Sequence, residues 1–233
     1  MLLSRRVDFE RRMRPAPPVT LALIGILGLV FALEIAAGAL DSRAGIIAAG
    51  ALWREGVLNG QAWRLVTAIL LHGSPSHLVS NAIALFILGL VCEHAFGRAQ
   101  YVILFLVSGL SGSVLSMLAS PGPSVGASGA IFGLQGAAIV VFRRHRDRLL
   151  VRDRRIGFVL LVWAVYSIAG GIVTPFIDNG AHIGGAIGGA LLTRRLHPVV
   201  LDPMPPEHAE RVRRWLWVLG VIVALSVVRW LTR

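Results

Sequence analysis

The chain has 233 residues, of which 55% are hydrophobic and 15% charged, with a mean hydropathy of +0.73. A soluble domain carries about 25% charge, so this composition all but excludes a water-soluble globule and points to a polytopic membrane protein. All 23 basic residues are arginine, against 12 acids, for a net charge of +11; they sit in short runs between long apolar stretches, as in membrane loops rather than a nucleic-acid-binding surface, and the single cysteine, Cys92, excludes an internal disulfide or a zinc-ribbon cluster.

Residues 1–18 hold five arginines and read as a cytoplasmic segment. The apolar run 19–40 that follows has the ~20 residues a spanning helix needs. An arginine-rich start and the small residues Ala36 to Ala39 also suit a secretory signal, but Glu34 and six further apolar runs favour an uncleaved anchor. Residues 41–63 read as one long loop on or in the interface, because the apolar stretch 44–52 is too short to span. Apolar runs follow at 78–92, 101–118, 128–142, 156–176 and 181–193. Of these, 101–118 and 156–176 are long enough to span, and the other three are short unless they extend into polar neighbours. The stretch 196–214 is charged and rich in proline, a linker before a last apolar run at 215–231. The expected fold is all-α: a six-helix block over 19–195, the linker, and one C-terminal transmembrane helix, a 6+1 plan.

If seven helices alternate, eighteen of the 23 arginines fall on one side. The positive-inside rule then puts the N-terminus in the cytoplasm, and the loops 41–76, 119–127 and 177–180 outside. No repeat of 20–50 residues is visible, so an inverted-repeat transporter gains no support.

Polar residues at membrane depth are costly and are candidates for function by default. Three sets stand out: His72, His77 and Asn81; Ser128 within GASGAIFG (126–133); and His182 within NGAHIGGAIGG (179–189). His77 lies 16 residues from Glu93, Ser128 15 from Arg143, and His182 12 from Arg194. At a helical rise of 1.5 Å these spacings give heights of about 24, 22 and 18 Å above the cytoplasmic boundary of a ~30 Å core. All three are below the outer surface and nearer to it than to the cytoplasm.

Gly129 and Gly133 are four apart on the Ser128 helix, as are Gly184 and Gly188, and Gly185 and Gly189, on the His182 helix. Such faces let backbones approach closely and would bring Ser128 within reach of His182; packing alone is an equal explanation. A serine in an apolar helix usually bonds back to a carbonyl. Ser128 differs in three respects: a helix start offers free N–H groups, Gly126 and Gly129 clear the space around it, and a histidine shares its depth as a candidate base. His77 and Asn81 share one helix face as hydrogen-bond donors, which suits half of an oxyanion hole or, alternatively, a hydrated polar pair. There is no HExxH for a metalloprotease and no pair of acids at depth for an aspartyl site. His72 and His77, five apart, are poorly spaced to share a metal. A Ser–His hydrolase with no acid placed to complete a triad remains.

Taken together and in order, Trp63–Arg64, HxxxxHxxxN (His72, His77, Asn81), ExxFG (Glu93 to Gly97), GASGAIFG (Gly126 to Gly133) and AHIGG (Ala181 to Gly185) resemble the rhomboid intramembrane serine proteases, over residues 17 to 195. The resemblance implies Ser128 as nucleophile and His182 as base. It implies an oxyanion hole from His77, Asn81 and the Ser128 N–H, with Gly126, Phe132 and His72 in support and Phe132 packed on the histidine ring. It further implies single-pass transmembrane protein substrates cut near the outer face of the cell membrane, with no requirement for metal or ATP. Two other readings stay open: a catalytically silent rhomboid-like protein that binds membrane clients, although such members typically lack the serine or histidine, and a small transporter. The loops 119–127 and 174–180 are expected to roof a water-holding cavity. The second of them, with Phe176 and the top of the 156–173 helix, is expected to move to admit substrate.

Overall fold

The computed structural model describes residues 6–13, 16–120, 122–174 and 177–232. Helices in chain order are α1 (Phe9–Arg12), α2 (Pro18–Ala36), α3 (Arg43–Ala49), α4 (Arg54–Leu58), α5 (Arg64–Thr67), α6 (Pro75–Ala119), α7 (Ser128–Arg144), α8 (Val151–Val173), α9 (Asn179–Thr193) and α10 (Pro206–Leu231). Among the described residues, α2, α6, α8 and α10 are long and apolar enough to cross a membrane. The all-helical membrane fold expected from composition is the fold observed.

The runs at 78–92 and 101–118 form one continuous element, broken only at Gly97, whose φ of 74° and ψ of 164° lie outside helical space. A residue with a Cβ would be strained there, and glycine is not. The break leaves backbone groups to satisfy, and Gln100 does this with its side chain. Its Nε2 donates to the carbonyls of Phe96 and His197, both at 2.7 Å, and its Oε1 accepts the His197 N–H at 2.8 Å. The same contacts pin the start of the 196–205 connection to the kink.

α2 begins at Pro18 with no side-chain cap of its own. Glu93 of α6 supplies one: its carboxylate accepts the Val19 and Thr20 N–H groups at 3.1 and 2.9 Å and the Thr20 hydroxyl at 2.9 Å. A carboxylate at free N–H groups is the stabilising arrangement for a helix start.

α7 and α9 lie at the centre, against each other and the second arm of α6. They are 17 and 15 residues long, about 25 and 22 Å at 1.5 Å per residue, less than a ~30 Å core. Their contact is backbone on backbone. A Cβ built on Gly185 would sit 1.8 Å from the Gly129 carbonyl oxygen, and one on Gly189 2.1 Å from that of Gly133. No other residue fits either position.

The structure adds order where the sequence suggested loops. The 41–63 stretch contains α3 and α4. Its carbonyls are gathered by the buried Arg64, which donates to Ile47 O at 2.7 Å and Ala51 O at 2.8 Å, and by Trp230 of α10, whose Nε1 donates to Ala49 O at 2.6 Å. The N-terminal segment is docked as well. Phe9 is fully buried, with His94 and Phe142 rings both 5.0 Å away, and its N–H donates to Asp153 at 2.8 Å.

Candidate functional site

Ser128 is the first residue of α7, preceded by Ala127, which offers no side-chain cap. The first intrahelical bond there runs from Ile131 N–H to Ala127 O at 3.0 Å. The N–H groups before it, that of Ser128 included, are the uncommitted donors of a helix start. Gly126 has φ +126° and holds the turn in place by donating its N–H to Ala68 O at 2.9 Å. Upstream, Leu52 and Ser124 exchange two backbone hydrogen bonds, both 2.9 Å. The segment that delivers Ser128 is therefore stitched to the 41–68 region.

His182 lies in the first turn of α9, 54 residues away in sequence, and its Nε2 is 3.0 Å from Ser128 Oγ. Phe132, one turn beyond Ser128, stacks on the imidazole with ring centroids 4.1 Å apart and an interplanar angle of 12°. The Nδ1 of His182 is buried and has no hydrogen-bond partner among the described residues. The ring is held by Phe132 on its face and by Ser128 at one nitrogen, and among the described residues no carboxylate reaches the other.

His77 and Asn81 stand one turn apart on α6. A Cβ on Gly126 would be 2.7 Å from His77 Cε1 and 3.5 Å from Asn81 Nδ2. The glycine thus lets both side chains press against the backbone two residues before Ser128. The Asn81 Nδ2 is buried and unpartnered among the described residues, which leaves a donor available on the Ser128 side. His72 lies behind this pair. It is fully buried, its ring meets His77 edge to face at 5.1 Å, and its N–H donates to the carboxylate of Glu34 at 3.1 and 3.2 Å. A cavity of about 10 Å³ borders Gly126 and Gly129, with Ser113, Ser116 and Ser124 in its wall, room for about one water.

All seven residues singled out from the sequence, Ser128, His182, His77, Asn81, Gly126, Phe132 and His72, thus lie in one connected cluster. Of the two loops expected to roof it, Pro121 in one and Pro175 and Phe176 in the other lie outside the described residues. The structure adds residues that pattern alone did not select. Glu34 holds the backbone of His72. Asp178, the N-cap of α9, accepts from Ser116, Ser120 and the Ala181 N–H. An Asp three residues before Ala181 at a helix start was a readable capping signal; the serines, 58 and 62 residues away, were not.

The model of the Rhomboid domain family matches residues 59–199. The chain is 38% identical over 161 residues to the rhomboid protease GluP of Bacillus subtilis, an alignment covering 69% of this chain and 31% of GluP. It is 32% identical over 198 residues to the putative rhomboid protease YdcA of the same organism, covering 82% of this chain and 94% of YdcA. With RHOMBOID-like protein 5 of Arabidopsis thaliana it shares 37% identity over 153 residues, 61% of this chain and 47% of that one. It therefore spans less than half the length of GluP and of the Arabidopsis protein. The matched region runs from α5 to the end of α9 and contains the whole Ser128–His182 cluster: this chain is a membrane protein that belongs to the rhomboid family.

Proposed function

We propose that the chain is an intramembrane serine endopeptidase of the cell membrane, cutting single-pass transmembrane proteins with a Ser128–His182 dyad. The observation that carries the reading is the 3.0 Å contact between Ser128 Oγ and His182 Nε2, with Phe132 stacked on the imidazole. In this mechanism His182 Nε2 takes the proton of Ser128 as the hydroxyl oxygen attacks the scissile carbonyl. The negative charge that develops on the carbonyl oxygen would be met by His77, Asn81 and the Ser128 N–H at the positive end of α7 as donors. The imidazolium then protonates the leaving amine. A water, deprotonated by His182, attacks the acyl–Ser128 ester; the bond to Ser128 Oγ breaks, the imidazolium returns its proton to that oxygen, and the second product leaves with a new carboxyl end. With Nδ1 of His182 unpartnered among the described residues, the base works in this mechanism without an acid on that nitrogen.

In the proposed topology the N-terminus is cytoplasmic, residues 19–195 form the six-helix catalytic unit, 196–214 link it to the seventh helix over 215–231, and the scissile bond lies in the outer part of the substrate's span. In this topology α6 would supply two of the six spans, divided at the break at Gly97. An intact substrate helix hides its carbonyls, so residues around the cut should be small or helix-breaking.

The test is purified protein in detergent with a model transmembrane substrate, wild type beside Ser128→Ala and His182→Ala. Both variants are expected to fold and to cleave nothing measurable, and the double variant to be no worse than either. Near-wild-type turnover by Ser128→Ala would end the protease reading. Product masses locate the cut, and cleavage clustered at the cytoplasmic end of the substrate's span would overturn the topology.

A further inference from the structure

Asp178 takes no part in the mechanism above, yet its carboxylate is among the most heavily engaged side chains near the site. Oδ1 accepts the Ser120 hydroxyl at 2.7 Å and the Ala181 N–H at 3.0 Å, and Oδ2 accepts the Ser116 hydroxyl. Ser116 and Ser120 are one turn apart at the end of α6, where the Ser120 N–H closes the helix on Ser116 O at 2.7 Å. On the other side, the backbone N–H of His182 donates to the carbonyl of Asp178 at 3.2 Å. Gly180 lets the two turns lie together, since a Cβ there would be 3.1 Å from Ser116 Cα and 3.3 Å from Ala119 Cβ. One carboxylate thus joins the end of α6, from which the chain runs on to Ser128, to the first turn of α9, which carries His182.

The imidazole itself has few restraints. Phe132 fixes its plane and Ser128 meets Nε2, while Nδ1 has no partner among the described residues. A carboxylate on Nδ1 would orient the base through its ring. Here the distance from Nε2 to Ser128 depends on where the backbone of α9 begins. We propose that Asp178 is a positioning residue: by binding Ser116, Ser120 and the Ala181 N–H together, it holds His182 at bonding distance from Ser128. The inference rests on the reading of Ser128 and His182 as the reacting pair.

A fluorophosphonate probe, which phosphonylates an activated serine without needing a transmembrane substrate, tests this on the full-length protein. The rate constant and the final extent of labelling are measured for wild type, Asp178→Ala, Asp178→Asn and the double variant Ser116→Ala/Ser120→Ala, with kcat and KM for cleavage alongside. Because displacement of about 1 Å costs on the order of a hundredfold, Asp178→Ala is expected to label roughly ten- to a hundredfold more slowly while reaching the wild-type extent. Its kcat should fall in step and KM stay unchanged. Asp178→Asn, whose amide oxygen still accepts the Ala181 N–H, should recover part of the rate. The double serine variant leaves that cap whole and should still be slowed; it decides the matter if Asp178→Ala does not fold. A reduced extent with a wild-type rate constant would mean that Asp178 only supports folding, and would overturn the proposal, as would wild-type rates throughout. Failure of the wild type to label at Ser128 would sink the functional reading itself, and this inference with it.

Discussion

Helices α8 and α9 both pack on α7, by opposite means. α9 meets it backbone to backbone at Gly129, Gly133, Gly185 and Gly189, where no side chain intervenes. α8 buries only Asp153, Gly157, Leu160 and Gly171 and turns Phe158, Val162, Val165 and Tyr166 outward. Its ties to the centre include the Gln135 amide on Leu160 O at 3.0 Å and the Asn179 amide on Ile168 O at 3.2 Å. Close packing without side chains tolerates no displacement, because any shift meets hard overlap or opens a void. A helix held by a few polar contacts and lipid-facing residues has room to tilt. The rigid interface is the one that carries Ser128 and His182, and the looser one borders the expected route for substrate.

Glycine substitutions test this contrast most directly. Gly185→Val would drive a Cβ into the Gly129 carbonyl and is expected to abolish cleavage and destabilise the fold by about 3 kcal/mol or more. Gly170→Val on α8, where a Cβ meets nothing within 4 Å, should leave both nearly unchanged. Thermal melts and cleavage assays in detergent measure both, and equal damage from the two changes would erase the distinction.

Next in size are the proposed oxyanion donors, which stand on α6 against Gly126, just before the start of α7. Losing one such donor typically costs about 10²–10³ in rate. The Ser128 N–H shares the task, so His77→Ala should be clearly impaired and Asn81→Ala partly active. If kcat for both stays at the wild-type value, the two side chains are structural polar groups.

A smaller effect is expected from loosening α8. Gln135→Leu removes one hydrogen bond and should cost about 1 kcal/mol of stability while leaving cleavage unchanged or faster. A marked loss of activity with unchanged stability would mean that α8 has to be held in place for the reaction.

The smallest effect lies far from the site, where Arg148 binds Asp202 with N–O distances of 2.6 and 2.8 Å. The Arg148 guanidinium holds the Asp202 carboxyl below the usual carboxylate range. A carboxyl depressed on folding stabilises the fold above its unfolded pKa of about 4, and this contribution is lost as the pH falls through the lower folded value. Both side chains are partly exposed, so the pair contributes no more than about 1 kcal/mol. Asp202→Asn should therefore lower stability slightly at neutral pH and flatten its dependence on pH below 4, as melts across that range would record.

Much of this molecule is written in its apolar runs and glycines. Run length and the low share of charged residues give a helical membrane protein, because the bilayer admits few other solutions. Rise per residue places Ser128, His77 and His182 at similar depth, since a helix converts sequence distance into height along a fixed axis. The i,i+4 glycines mark the α7–α9 face for the same reason. Tertiary structure alone decided the rest. The gap between the apolar runs at 78–92 and 101–118 does not reveal that the helix breaks at Gly97 alone, or that Gln100 meets the Phe96 carbonyl there together with His197 from the far connection. Residues 1–18 read as a cytoplasmic segment on their charge, and charge masks the buried Phe9, whose ring meets His94 of α6 and Phe142 of α7. Glu34 and Asp178 are acids in apolar surroundings whose partners lie 38 and 58–62 residues away. Sequence fixes where a helix starts and which face is apolar. It does not state which distant N–H or hydroxyl a buried carboxylate will meet, because that depends on how the helices lie against one another.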